Sequence, residues 1–132
     1  MTTFAPTSII LYVTDVNVST EFYRAALDKE PVEIFQDFAI FALTNDVTIG
    51  LQTRSEIDPK AQGAPGSVEL SMSYAKRNDV DTLHRRWSGL GFQIALAPTE
   101  LEFGYTFVAT DPDGHRLRVC ATDTSGINEL ST

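Results

Sequence analysis

A single cysteine, Cys120, rules out internal disulfides and thiolate metal clusters, and with them a disulfide-stapled secreted domain. Cys120 reads as a small buried hydrophobe rather than a nucleophile, because no neighbouring signal argues for an activated thiol. Long apolar runs are also missing. The longest, Ser8 to Val13, falls far below the roughly 20 residues of a membrane-spanning helix, and no basic-then-apolar leader precedes it. A cytoplasmic protein with no membrane partner is expected. Positive charge is scarce: ten Lys and Arg against eighteen Asp and Glu give a formal net charge of −8. The basic residues are scattered apart from Arg85-Arg86 and Arg116/Arg118, so the chain repels phosphate backbones and nucleic acid is not an expected partner.

What remains is an ordinary globular balance, 42% apolar and 21% charged over 132 residues, enough for one domain with a real core. The order of segments is strand, helix, strand, strand, strand, twice over. In the first copy, Ser8 to Thr14 is β-branched and apolar. A helix from about Val18 to Asp28 follows, with Asn17 as its expected N-cap. Strands at Val32 to Phe35, Phe38 to Leu43 and Val47 to Thr53 are parted by the turn sequences Gln36-Asp37 and Thr44-Asn45-Asp46. Residues 54–66 carry Asp58-Pro59 and Gly63-Ala-Pro65-Gly66 without apolar periodicity and form a linker. In the second copy, strand Ser67 to Tyr74 precedes a helix from about Asn78 to Gly89, with Asn78 as cap. Strands at Phe92 to Leu96, Tyr105 to Thr110 and Arg116 to Ala121 complete it. The repeat spans about sixty residues. The modules run from about 7 to 53 and from 67 to 121 within a single domain of residues 1–132, with a tail at 123–132.

Val80, Leu83, Trp87 and Leu90 make one helical stripe, so Trp87 belongs to the core rather than to a stacking platform. Asp111-Pro-Asp-Gly114 is a tight turn joining two strands. His115, which follows it, is expected to be exposed or locally hydrogen-bonded rather than catalytic. His84, on the second helix, has no expected site role. Strand alternation puts Glu69, Ser71 and Ser73 on one face and Leu70, Met72 and Tyr74 on the other; likewise Arg116, Arg118 and Cys120 oppose Leu117 and Val119. The apolar parity should lie under the helices and the polar, small parity on the concave side.

Two βαβββ units of this length, with Tyr12-Val-Thr-Asp15 before Glu21-Phe-Tyr23 and Asp111-Pro-Asp-Gly-His115 before the last strand, resemble the vicinal oxygen chelate superfamily. That superfamily includes glyoxalase I, extradiol dioxygenases and the fosfomycin and bleomycin resistance proteins. The resemblance implies an α+β fold, two modules making a curved mixed sheet with helices on its convex face. It places the metal ligands of the enzymes at Ser8, Gly50, Glu69 and Arg118. Arginine brings a fixed positive charge and glycine no donor, so no metal and no other cofactor is expected. Glu69 and Arg118 are expected to pair across the cleft instead.

Glu30-Pro-Val32, Thr106-Phe107, and the run from Asp111 to His115 with Arg118-Val-Cys120 are closest to phenazine-antibiotic resistance proteins. These are homodimers that sequester a flat aromatic drug without chemistry. A tryptophan of that group falls here on Gln52. The resemblance implies a metal-free, cytoplasmic homodimer binding a small aromatic ligand for antibiotic resistance. Tyr12, Phe38 and Tyr105 would supply aromatic faces, and Gln52, Glu69, Ser71 and Arg118 the polar groups, with no catalytic residue. Two enzyme alternatives are a metal-dependent glyoxalase or dioxygenase with other ligands, and a metal-free lyase or isomerase. The latter would use Glu69 as general base, its pKa raised by burial.

Overall fold

A computed structural model describes residues 2–44 and 46–123, so the expected tail lies outside the described residues apart from Asp123. The chain forms two compact units, Met1–Pro65 and Gly66–Thr132, and their boundary falls at the end of the expected linker. Among the described residues no helix is long and apolar enough to cross a membrane.

In the first unit, β1 (Ser8–Val13), α1 (Val16–Leu27), β2 (Glu33–Ile34), β3 (Phe38–Ala42) and β4 (Thr48–Thr53) precede a 3₁₀ turn at Arg54–Glu56. The sheet order is β1-β4-β3-β2. β1 runs parallel to β4 and the other pairs are antiparallel. A parallel pair needs a long crossover, and α1 with the β2–β3 hairpin supplies it. α1 starts two residues earlier than expected. The Asp15 carboxylate, not Asn17, accepts the N–H groups of Asn17 and Val18 at 2.9 and 3.3 Å. This cap satisfies two orphan donors and lets Val16 join the buried helix face with Ser19, Thr20 and Tyr23. Leu11, Val13, Ala39, Phe41, Ile49 and Leu51, all at most 1% exposed, make the sheet's half of this core.

The second unit repeats the plan with β5 (Glu69–Met72), α2 (Arg77–Gly89), β6 (Gln93–Leu101), β7 (Gly104–Thr110) and β8 (Arg116–Thr122), in the order β5-β8-β7-β6. β5 is parallel to β8. Asn78 is not the cap of α2. Lys76 stands at that position, and the Asp79 carboxylate accepts its backbone N–H at 3.0 Å. β6 runs five residues beyond its expected end, through Pro98. It is an edge strand with two register irregularities, where a missing N–H costs little. Trp87 is buried in the core as expected, its ring 5.6 Å from Phe92 and 5.5 Å from Phe107. Cys120 is buried too, and His84 lies edge-on to Phe107.

His115 is 4% exposed, which decides between its two expected placements in favour of the local hydrogen bond. Its Nδ1 lies 2.8 Å from Asp111 Oδ2, while Asp111 Oδ1 accepts the N–H groups of Asp113 and His115, each at 2.9 Å. The Asp-Pro-Asp-Gly-His segment is thus a turn folded around one buried carboxylate.

Candidate functional site

In each unit the helix covers one face of the sheet and leaves the other uncovered by it. On the first unit's helix-free face, register pairs Ser8 with Thr48 and Ala42, Ile10 with Gly50 and Ile40, and Tyr12 with Gln52 and Phe38. Across β1, β4 and β3 these rows carry no charge; the middle row continues onto the edge strand β2 at the exposed Glu33, which is level with Ile40. Tyr12, Gln52 and Phe38, three of the expected ligand residues, therefore stand side by side in one row. Ile10 and Tyr12 are 41% and 38% exposed, Phe38 is half-buried, and Gln52 is buried. Gln52 has a structural role as well. Its amide nitrogen already donates to the carbonyls of Thr53 at 3.0 Å and Glu56 at 3.4 Å, which ties β4 to the 3₁₀ turn.

On the second unit's helix-free face, Ser71, Arg118 and Val108 are level across β5, β8 and β7, with Thr106 level with Cys120 in the next row. Arg118 and Glu69 do pair, Nε to Oε2 at 3.1 Å, as neighbours in one sheet. Arg118 Nη1 also reaches Thr106 Oγ1 at 3.2 Å, and its guanidinium carbon lies 5.4 Å from the centre of the Phe103 ring. Two nitrogens are thereby fixed, and Nη2 has no partner among the described residues. Ser71 is exposed, its hydroxyl 3.0 Å from that of Ser73. Glu69 is exposed as well, which removes the burial on which its role as a general base was to depend.

Tyr105 separates from this group. It shares the parity of Phe107, which touches α2 residues, and its hydroxyl donates to Asp81 of α2 at 2.6 Å while Arg77 lies 4.2 Å above its ring. It faces the helix, on the opposite side of the sheet from Arg118. The hydrogen bond to Asp81, with desolvation second, raises its pKa above the ordinary 10.0. The folded chain therefore holds the phenol proton more tightly than the unfolded chain. Stability from this bond is complete below about pH 10 and is lost as pH rises through the higher folded value. Thermal unfolding followed against pH should fall more steeply above pH ~10 in the wild type than in Tyr105→Phe. Parallel curves would contradict this placement of Tyr105.

The four positions assigned to metal ligands do not make a donor set. Ser8 Oγ is hydrogen-bonded to Thr48 Oγ1 at 2.6 Å, Gly50 offers no side chain, and Glu69 is held by the arginine that stands at the fourth position. Among the described residues no group of three or more His, Cys, Asp or Glu is placed to hold a metal ion.

Sequence reasoning gave no site role to Thr106 and Phe103, which fix the Arg118 plane, or to Ile10 and Ile40, which flank Gly50. Thr106 and Val108 follow each other with period two on β7 and were legible in principle. Phe103 lies in the β6–β7 turn and carries no periodic signal.

The sequence profile of the Glyoxalase/Bleomycin resistance protein/Dioxygenase superfamily matches residues 5–119. The chain is 34% identical over 124 residues to the phenazine antibiotic resistance protein EhpR of Enterobacter agglomerans, covering 92% of this chain and 95% of that protein. It is 39% identical to protein ATC0852 from Agrobacterium tumefaciens, whose solution structure covers 92% of this chain and 99% of its own with a TM-score of 0.78. A glyoxalase/bleomycin resistance protein/dioxygenase from Nocardioides, 19% identical, shares the fold with a TM-score of 0.81 over 96% of this chain and 88% of its own. The paired βαβββ units and the match over most of the length together establish that the chain belongs to the glyoxalase/bleomycin resistance protein/dioxygenase superfamily.

Proposed function

We propose that this protein binds flat aromatic antibiotics of the phenazine kind and confers resistance by sequestering them, without metal and without chemistry. The observation that carries this reading is the charge-free row Tyr12–Gln52–Phe38 beside Ile10 and Ile40, a surface of rings and aliphatic side chains with one carboxylate, Glu33, at its outer edge on β2. Similarity to a phenazine antibiotic resistance protein over nearly the full length of both chains supports the ligand class. Stacking a flat ring on Tyr or Phe contributes roughly 1 kcal/mol beyond the area it buries, so micromolar affinity is within reach. On the second unit's own face Arg118, with Ser71 beside it, offers polar contacts, since a guanidinium held by Glu69 and Thr106 presents its remaining donor at a fixed angle. Titration with a panel of phenazines, other flat heteroaromatics and cationic glycopeptide drugs tests the reading. The first two groups should bind and the third should not; binding confined to the glycopeptides would overturn it.

The metal-free part of the reading has its own test. Purified protein should carry no stoichiometric zinc, nickel, iron or manganese by elemental analysis. About one ion per chain that survives chelator and is needed for activity would contradict it.

A homodimer is proposed on the same basis. Each sheet ends in strands unpaired on their outer side among the described residues, β1 and β2 in one unit and β5 and β6 in the other. Light scattering should return about twice the 14.5 kDa chain mass. A monomer at micromolar concentration that still binds ligand would contradict a shared site.

A further inference from the structure

Gly50 lies at the centre of the first unit's helix-free face, level with Ile10 of β1 and Ile40 of β3. It is not among the glycines with positive φ, so the strand would accept any residue there on backbone grounds. Space is what requires the glycine. A Cβ built on it would fall 2.6 Å from Ile10 Cδ1 and 2.8 Å from Phe38 Cζ, closer than side chains approach each other. Ile10 and Phe38 therefore fill the volume over the β4 backbone. Phe38 belongs to the next cross-strand row, so its ring leans along the strand across a two-residue step of about 7 Å to reach this point.

We infer that Gly50 is a positioning residue for the ligand. By admitting Ile10 and Phe38 over its Cα, it joins two cross-strand rows into one continuous apolar platform on which a fused, planar ring system lies flat. The inference rests on the binding reading proposed above. A methyl group at position 50 pushes the Phe38 ring up and away from Ile10, which breaks the platform where a polycyclic ligand has to span it. The nearest obstructing atoms are side-chain ends rather than backbone, so the fold should survive the exchange while the surface changes shape.

The test is a double-mutant cycle on the full-length protein with phenazine itself as the probe, read by calorimetry and by the shift of the phenazine absorption band on stacking. Thermal melting of each variant confirms that it is folded. Gly50→Ala should weaken phenazine binding about tenfold and reduce the band shift. In an Ile10→Ala background the platform is already broken on its Ile10 side, so the same Gly50→Ala exchange, which still displaces Phe38, has less continuity to destroy and should cost less than about threefold. Equal losses in both backgrounds, or a Gly50→Ala variant within about twofold of wild type, would overturn the inference while leaving the binding reading intact. Failure of the unaltered protein to bind phenazine would overturn the binding reading itself, and this inference with it.

Discussion

Replacing Asp111 with alanine is expected to lower the free energy of unfolding by about 3–5 kcal/mol, a large part of the 5–15 kcal/mol that holds a typical domain together. The carboxylate is buried and serves three donors at once: the backbone N–H groups of Asp113 and His115 and the ring of His115. Alanine removes the acceptor, so each of these groups is deprived of the partner it has in the folded chain. His115, 4% exposed, cannot swing out to solvent without breaking the turn that feeds β8. Asp111→Asn keeps one oxygen for the two backbone donors and should lose roughly half as much. Urea denaturation of the three proteins measures this directly. A loss below about 1 kcal/mol for Asp111→Ala would mean that the turn is set by its glycine and proline alone.

Arg118→Ala should weaken ligands that carry a carboxylate by about 10- to 100-fold, and neutral flat aromatics by no more than about threefold. The range follows from one charge-assisted hydrogen bond, worth roughly 1.5–3 kcal/mol where the partner would otherwise be left unpaired. Preorganisation raises the effect. Glu69 and Thr106 hold Nε and Nη1, and Phe103 lies against the guanidinium, so little rotamer freedom is left to lose on binding. Lysine is not an equivalent replacement, because a point charge on a flexible stem cannot keep both anchors and still present a fixed donor. Calorimetry with a carboxylated phenazine and with phenazine itself separates the two terms. Equal weakening of both ligands would place Arg118 in packing rather than in recognition of charge.

The repeat is legible in the order of its segments, and Val80, Trp87, Leu117 and Val119 are buried as expected; Leu90 at the end of the helical stripe and Met72 and Tyr74 of the parity expected under the helix are instead 51%, 48% and 82% exposed, and Cys120 of the opposite parity is buried. The helix starts were misread for a physical reason. Asparagine is as good a cap as aspartate in isolation, but Asp15 sits where one oxygen can accept from both Asn17 and Val18, and the sequence does not display that geometry. β6 continues past its expected end at Leu96 because an edge strand tolerates the missing N–H of Pro98. The side to which Tyr105 points is not legible in the sequence, because β7 is a central strand buried on both sides from Thr106 to Ala109 and offers no polar parity by which to tell its faces apart. The pairing of Arg118 with Glu69 follows from the resemblance, which expects it across the cleft; the structure forms it along one sheet, diagonally between β5 and β8, where the direct partners are Arg116 for Glu69 and Ser71 for Arg118. The role of Gly50 is not legible in the sequence, because it depends on where the ends of Ile10 and Phe38 lie.

The central claim is that the protein holds a flat aromatic compound and returns it as it was. The most direct measurement is a calorimetric titration with phenazine, followed by mass spectrometry of the compound recovered after prolonged incubation with protein in excess. The account predicts saturable binding in the micromolar range or tighter and full recovery of phenazine at unchanged mass. No binding to phenazine or any other flat aromatic, or recovery of a new product whose yield grows with time, would contradict it.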